Sequence, residues 1–315
     1  MNMAVYHALL EPGDTVMALD LNQGGHLTHG SAVNFSGRLY RFVHYGVDRD
    51  TEVLHLDRIA AQARQVRPKL IVVGATAYPR LWDFATWRQI ADDVGAYLMA
   101  DVSHIAGLIV GRVHPDPVPH CDVVTTTTQK TLRGPRAGLI LCRAALGPLI
   151  DKAVFPGIQG GPHMQTIFAT AIALKEAMSE GFHAVQRRTV ENARTLAAAL
   201  SASGLRLISG GTDNHLMLID LRPLNLTGKH AAALLEEAGI VVNKNTVPYD
   251  SKPPTVCSGI RLGTPALSTR GMHTREMEQV AEWISAILRQ PDDAPTRVRI
   301  AAEVRALCAR FPLPE

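Results

Sequence analysis

The stretch Tyr97-Leu98-Met99-Ala100-Asp101-Val102-Ser103-His104 decides how this chain is read. Its apolar part is of strand length and does not alternate with polar residues, which argues for burial on both faces. It delivers an acid at its end and a histidine three residues later. Similar runs occupy residues 15–21, 38–45, 69–75, 122–128 and 138–143. Between them, 54–66 and 81–96 repeat apolar residues at helical spacing. In the second of these the apolar face is Phe84, Trp87, Ile90, Ala91 and Val94. Continuous apolar strands separated by helices predict an α/β fold with a mostly parallel sheet covered on both faces.

From about Pro162 the pattern changes. Helices are expected over 165–179, 183–203, 228–238, 273–289 and 295–311, and strands over 215–221, 240–243 and 259–264. The organisation is therefore a large α/β domain, residues 1–180, followed by a smaller α+β domain, residues 181–315. Residues 1–10 read as a helix closed by the turn Glu11-Pro12-Gly13-Asp14. A domain that opens in mid-helix looks cut.

The chain has 315 residues, 46% hydrophobic and 19% charged, with a formal net charge of +3. Such a composition buries a substantial core and argues against disorder. The basic excess is too slight to imply nucleic acid or an anionic membrane. The four cysteines, Cys121, Cys142, Cys257 and Cys308, are far apart and form no CxxC pair, so a disulfide scaffold and a cysteine zinc site are not expected. No run approaches the roughly 18–20 apolar residues of a membrane span, and the N-terminus lacks the pattern of a signal peptide. The expected location is cytoplasmic.

Five local signals carry chemistry. In Thr125-Thr126-Thr127-Thr128-Gln129-Lys130-Thr131-Leu132-Arg133-Gly134-Pro135-Arg136 a β-branched strand ends and a lysine follows in a loop. Ligands of open α/β sheets sit beyond the carboxyl ends of strands, and a lysine there can become a Schiff-base amine; an exposed loop lysine is the plainer alternative. Asp101 could pair with a cationic ring nitrogen such as that of pyridoxal phosphate, or merely cap a helix. Gly24-Gly25-His26-Leu27-Thr28-His29-Gly30 suits a ligand loop. Its HxxH is a weak metal signal with no acid nearby in sequence, so no metal is expected. An imidazole there can stack on a ring, and a pair of solvated histidines is the alternative. Gly157-Ile158-Gln159-Gly160-Gly161-Pro162 leads into a helix and could meet a phosphate, or be a turn without a ligand. Arg261, inside the apolar strand 259–264, needs an anionic partner: a substrate carboxylate or an internal acid.

Taken together, these signals resemble the serine hydroxymethyltransferase family, pyridoxal-phosphate enzymes of the aspartate-aminotransferase fold type. The likeness runs over essentially the whole chain. It includes Leu9-Leu10-Glu11-Pro12-Gly13-Asp14, Val33-Asn34-Phe35-Ser36-Gly37, Pro117-Val118-Pro119-His120, Ser209-Gly210-Gly211-Thr212-Asp213-Asn214-His215 and Val242-Asn243-Lys244-Asn245. The resemblance implies a fold-type-I large domain and transfer of a one-carbon unit between serine and tetrahydrofolate, giving glycine and methylenetetrahydrofolate. It implies that Lys130 holds the cofactor covalently, Asp101 pairs with its ring nitrogen and His26 stacks on the ring. His104 and Thr76 touch its polar substituents, and Thr127, Gln129 and Arg136 shape the site around the lysine. Gly160 and Gly161 reach the cofactor phosphate across a homodimer interface. Arg261 binds the amino-acid carboxylate, and Leu21, Gly25, His26, Leu27 and Asn245 line a folate groove.

The chain departs from the family pattern in three places. About the N-terminal quarter of a full-length member is expected to be missing, with the catalytic glutamate, the active-site tyrosines, a Ser-Gly phosphate cup and an early strand; Asn2 matches a residue at the end of that cup. Gln129 stands where the family has histidine, and an amide cannot titrate or offer an imidazole face. Pro253-Pro254-Thr255 replaces Ser-Pro-Phe in the folate region. The alternatives are an enzyme for α-methylserine or another β-hydroxy amino acid, and a non-catalytic paralogue.

Overall fold

The computed structural model describes residues 1–313; residues 314 and 315, the end of the expected small domain, lie outside the described residues. The chain divides into two compact units. The first comprises 1–48, 53–76 and 81–183, and the second 49–52, 77–80 and 184–315.

The first unit is built on a six-stranded sheet. Its strands are β1 (Thr15–Leu19), β2 (Arg41–Tyr45), β3 (Leu70–Val73), β4 (Tyr97–Asp101), β5 (Val123–Thr127) and β6 (Gly138–Cys142), in the order β2-β1-β3-β4-β5-β6. All neighbours are parallel except β5 and β6. The sheet is therefore mostly parallel, as the apolar runs predicted. β3 is buried at all four positions, and Leu98, Met99 and Ala100 in β4 are fully buried. β1 has β2 on one side and β3 on the other, so the winding reverses there. Such a reversal opens a crevice at the carboxyl ends of the flanking strands.

Local chemistry sets the helices. Phe84–Val94 starts at Asp83, whose side chain accepts the Thr86 N–H, and ends at Gly95 in the left-handed region. Its Phe84, Trp87, Ile90 and Ala91 are buried, the face the spacing marked. The expected strand 38–45 is shorter than predicted. The Asn34 side chain accepts the Ser36 N–H and turns Phe35–Leu39 into a helix, leaving β2 to begin at Arg41.

The second unit carries a four-stranded sheet, β7 (Arg206–Leu207), β8 (Leu216–Asp220), β9 (Asn243–Asn245) and β10 (Gly259–Gly263), in the order β7-β8-β10-β9 with antiparallel pairing throughout. Helices Gly228–Glu237, Thr274–Arg289 and Ala294–Arg310 contribute to its apolar core with residues such as Leu235, Ile284 and Ile300. The strand expected over 240–243 is displaced. β9 pairs with β10 through Asn243, Lys244 and Asn245, and Val241 is 81% exposed before that pairing begins. Among the described residues, no helix is long and apolar enough to cross a membrane.

Candidate active site

The carboxyl ends of β1, β3, β4 and β5 open on one cavity of about 190 Å³. His26, Thr28 and His29 reach it from the loop after β1, and Ala75 and Thr76 from the turn after β3. Asp101, Ser103 and His104 come from the end of β4, and Thr127 and Lys130 from the end of β5. Asn2 joins them from the first turn of helix Asn2–Leu9.

Each loop is shaped by its own residues. Thr128 staples the turn that carries Lys130: its hydroxyl donates to the Pro135 carbonyl, and its carbonyl accepts the Gly134 N–H at 2.7 Å. The Thr131 hydroxyl donates to the His104 carbonyl at 3.0 Å and accepts the Gly107 N–H at 2.9 Å, so the lysine loop and the loop after β4 are tied together. After β3, Gly74 has φ +140°, a conformation open to glycine, and a Cβ there would overlap the Asp101 carbonyl oxygen. The Thr76 N–H donates to the Gly24 carbonyl at 2.7 Å, joining the turn after β3 to the glycine-histidine loop.

Asp101 is 7% exposed and accepts from four donors of the chain. The Ser103 hydroxyl (2.6 Å) and N–H (3.2 Å) donate to Oδ1, and Asn2 Nδ2 (2.7 Å) and His29 Nε2 (3.3 Å) donate to Oδ2. Burial alone would raise the pKa of this carboxyl. The bonds from His29, Ser103 and Asn2 outweigh burial and hold it below the usual carboxylate range. His26 is displaced downward, first by burial and then by the neighbouring His29, which favours a neutral ring.

The fold supplies the acid that HxxH lacked in sequence, since ligand atoms of His26, His29 and Asp101 lie within 4.8 Å of one another. The hydrogen bonding argues against a metal. Backbone N–H groups of Thr28 and His26 donate to Nδ1 of His26 (3.2 Å) and of His29 (3.3 Å). Nδ1 of each ring is thereby taken up by a backbone donor and offers no lone pair to a metal.

The remaining expected site residues lie elsewhere. Gln129 does not line the cavity, and its Oε1 is buried with no hydrogen-bond partner among the described residues. Arg136, Gly160 and Gly161 are exposed and outside the cavity wall. Leu21 is half-buried, Gly25 buried and Leu27 47% exposed, all outside the wall. Arg261 on β10 and Asn245 on β9 belong to the second unit. Asn2 and His29 are the residues that the sequence did not single out for the acid. The HxxH spacing and the place of Asn2 beside the expected phosphate cup were the available signals.

A buried anion, a neutral imidazole and a lysine at the carboxyl edge of a mostly parallel sheet suit a ligand with a cationic ring nitrogen and an aldehyde. This is the class of fold-type-I pyridoxal-phosphate enzymes. Residues 1–284 of the chain match the family model of serine hydroxymethyltransferase, and the chain belongs to that family of pyridoxal-phosphate-dependent transferases.

Proposed function

We propose that the chain binds pyridoxal phosphate in the cavity of Lys130 and Asp101 and moves a one-carbon unit between serine and tetrahydrofolate. The observation that carries this reading is Asp101, a buried carboxylate held in its anionic form by four donors. An anion so prepared keeps a proton on a pyridine nitrogen.

The bound cofactor supplies an electron sink for the substrate α-carbon. The chain's residues do the rest. Lys130 holds the cofactor through its amine, and Nζ carries the proton exchanged with the substrate. His26 offers its ring as a stacking face, and Thr76 and His104 meet polar substituents. Thr127 and Arg136 shape the surroundings of the lysine. Arg261 clamps the substrate carboxylate, a role supported by the burial that lowers its pKa and so favours an anionic partner. Leu21, Gly25, His26, Leu27 and Asn245 receive the folate. Residues 1–180 serve as the cofactor domain and 181–315 as the small domain, in a cytoplasmic enzyme.

A homodimer is part of the reading. Phe155 (65%), Met164 (64%), Phe168 (70%) and Met178 (79%) are exposed large apolar side chains on one segment, an arrangement that calls for a covering partner. Gly160 and Gly161, on the same segment, then reach the neighbouring subunit's cofactor phosphate. A second reading, a preference for α-methylserine or another β-hydroxy amino acid, rests on Gln129, which stands next to Lys130 in sequence where the family has histidine.

The test is glycine formation from serine with pyridoxal phosphate, with and without tetrahydrofolate, beside α-methylserine and threonine. Folate-dependent serine turnover is expected. Turnover indifferent to folate would overturn the transfer, and substrate rankings unchanged by Gln129→His would remove the second reading.

A further inference from the structure

The carboxylate of Asp101 receives four hydrogen bonds from the chain, two on each oxygen. Three donate whatever their surroundings: the Ser103 N–H, the Ser103 hydroxyl and the Asn2 amide, whose Oδ1 accepts the Thr125 hydroxyl at 2.8 Å. The fourth, Nε2 of His29, donates to Asp101 in only one neutral tautomer. That tautomer is set by the His26 N–H, which points at Nδ1 of His29 from 3.3 Å and can only donate. The proton therefore sits on Nε2, 3.3 Å from Oδ2 of Asp101. The backbone of His29 is fixed as well, because its carbonyl accepts from Nε2 of His44 at 2.9 Å. His29 itself is 2% exposed.

We infer that His29 is a positioning residue for the cofactor: its Nε2–H holds Oδ2 of Asp101 in place, while its Nδ1 ties that carboxylate to the backbone of His26, whose ring lines the same cavity. The two groups offered to the cofactor, an anion and a flat imidazole, are thereby held in one register by a third side chain. His29 acts through Asp101 and His26 rather than on the substrate. The spacing of HxxH follows from this, since the second histidine returns to the N–H of the first.

The inference rests on the cofactor reading above, and the experiment separates the two. The full chain, labelled with ¹⁵N-histidine, is observed by NMR without and with pyridoxal phosphate. The signals lost in His29→Gln identify the residue. A bare Nδ1 and a protonated Nε2 are expected, and the opposite tautomer would overturn the clamp. Pyridoxal phosphate is then titrated into wild type, His29→Leu and His29→Gln. Leucine donates nothing and should weaken binding about tenfold, the loss of one charge-assisted bond. Glutamine keeps an N–H donor and should recover most of that loss. Wild-type affinity in His29→Leu, or no recovery in His29→Gln when both melt like wild type, would also overturn it. If His29→Leu does not fold, the tautomer and the glutamine variant decide. Failure of borohydride to trap the cofactor on Lys130 in wild type would sink the cofactor reading, whereas normal trapping with indifferent His29 variants would sink only the inference.

Discussion

Asp101 and Asp122 stand at opposite edges of the same sheet and are satisfied in opposite ways. At the amino edge, Asp122 meets Arg88 Nη1 at 2.8 Å and Arg143 Nε at 3.6 Å, and it accepts the Leu98 N–H at 2.8 Å. Two guanidinium groups of the chain already neutralise it. At the carboxyl edge, Asp101 is held by an amide, a hydroxyl, a backbone N–H and an imidazole N–H. No guanidinium is among these partners, so Asp101 keeps more of its attraction for a cation from outside than Asp122 does. The difference teaches that an acid held without guanidinium partners is left to attract a cation from outside, whereas one paired with two guanidinium groups is spent on the structure.

Substitutions at the two edges should therefore separate. Asp101→Asn should weaken pyridoxal phosphate binding by about 10- to 100-fold, the range for a hydrogen bond to a charged group, in an absorbance titration. Wild-type affinity would erase the contrast. Gly74→Ala should cost about 3 kcal/mol of stability in urea, from backbone strain and the overlap with the Asp101 carbonyl, and should also weaken the cofactor. A fully stable variant with normal affinity would show that β3 and β4 can part without disturbing the site. Asp122→Asn should cost about 1 kcal/mol or less, because its arginine partners are partly solvated, and should leave cofactor affinity unchanged. The smallest effect is a pH slope from the carboxyl edge. The pKa of His26 is lower folded than unfolded, so below about pH 6.5 the unfolded chain binds more protons and stability falls with falling pH. His26→Asn should flatten that slope in melts between pH 7.5 and 5.5, and an unchanged slope would place its origin elsewhere.

The sheet was legible because β3, β4 and β5 are buried through almost their whole length, and a strand covered on both faces reads as an apolar run. β9 was not legible in place. It is an edge strand of Asn243, Lys244 and Asn245, set by pairing with β10 rather than by its own hydrophobicity. β7, with two residues, is too short for any periodicity. At the site, Lys130, Asp101 and His26 could be read because Asp101 ends β4 and the other two lie in the loops that follow β5 and β1. The support around Asp101 could not. Asn2 lies 99 residues away in sequence and His29 lies 72 away, so the donors that prepare the carboxylate meet it only through the fold. Gln129 marks the reverse case: next to Lys130 in sequence, it is absent from the cavity wall.

The central claim is that the carboxyl edge of this sheet is a pyridoxal phosphate site closed by Lys130. The direct measurement is borohydride reduction of the chain with pyridoxal phosphate, followed by digestion and mass mapping of the modified peptide. The account predicts a single adduct on Lys130, lost together with the visible absorbance band in Lys130→Ala. An adduct on another lysine with Lys130 unmodified, or an undiminished band in Lys130→Ala, would contradict it.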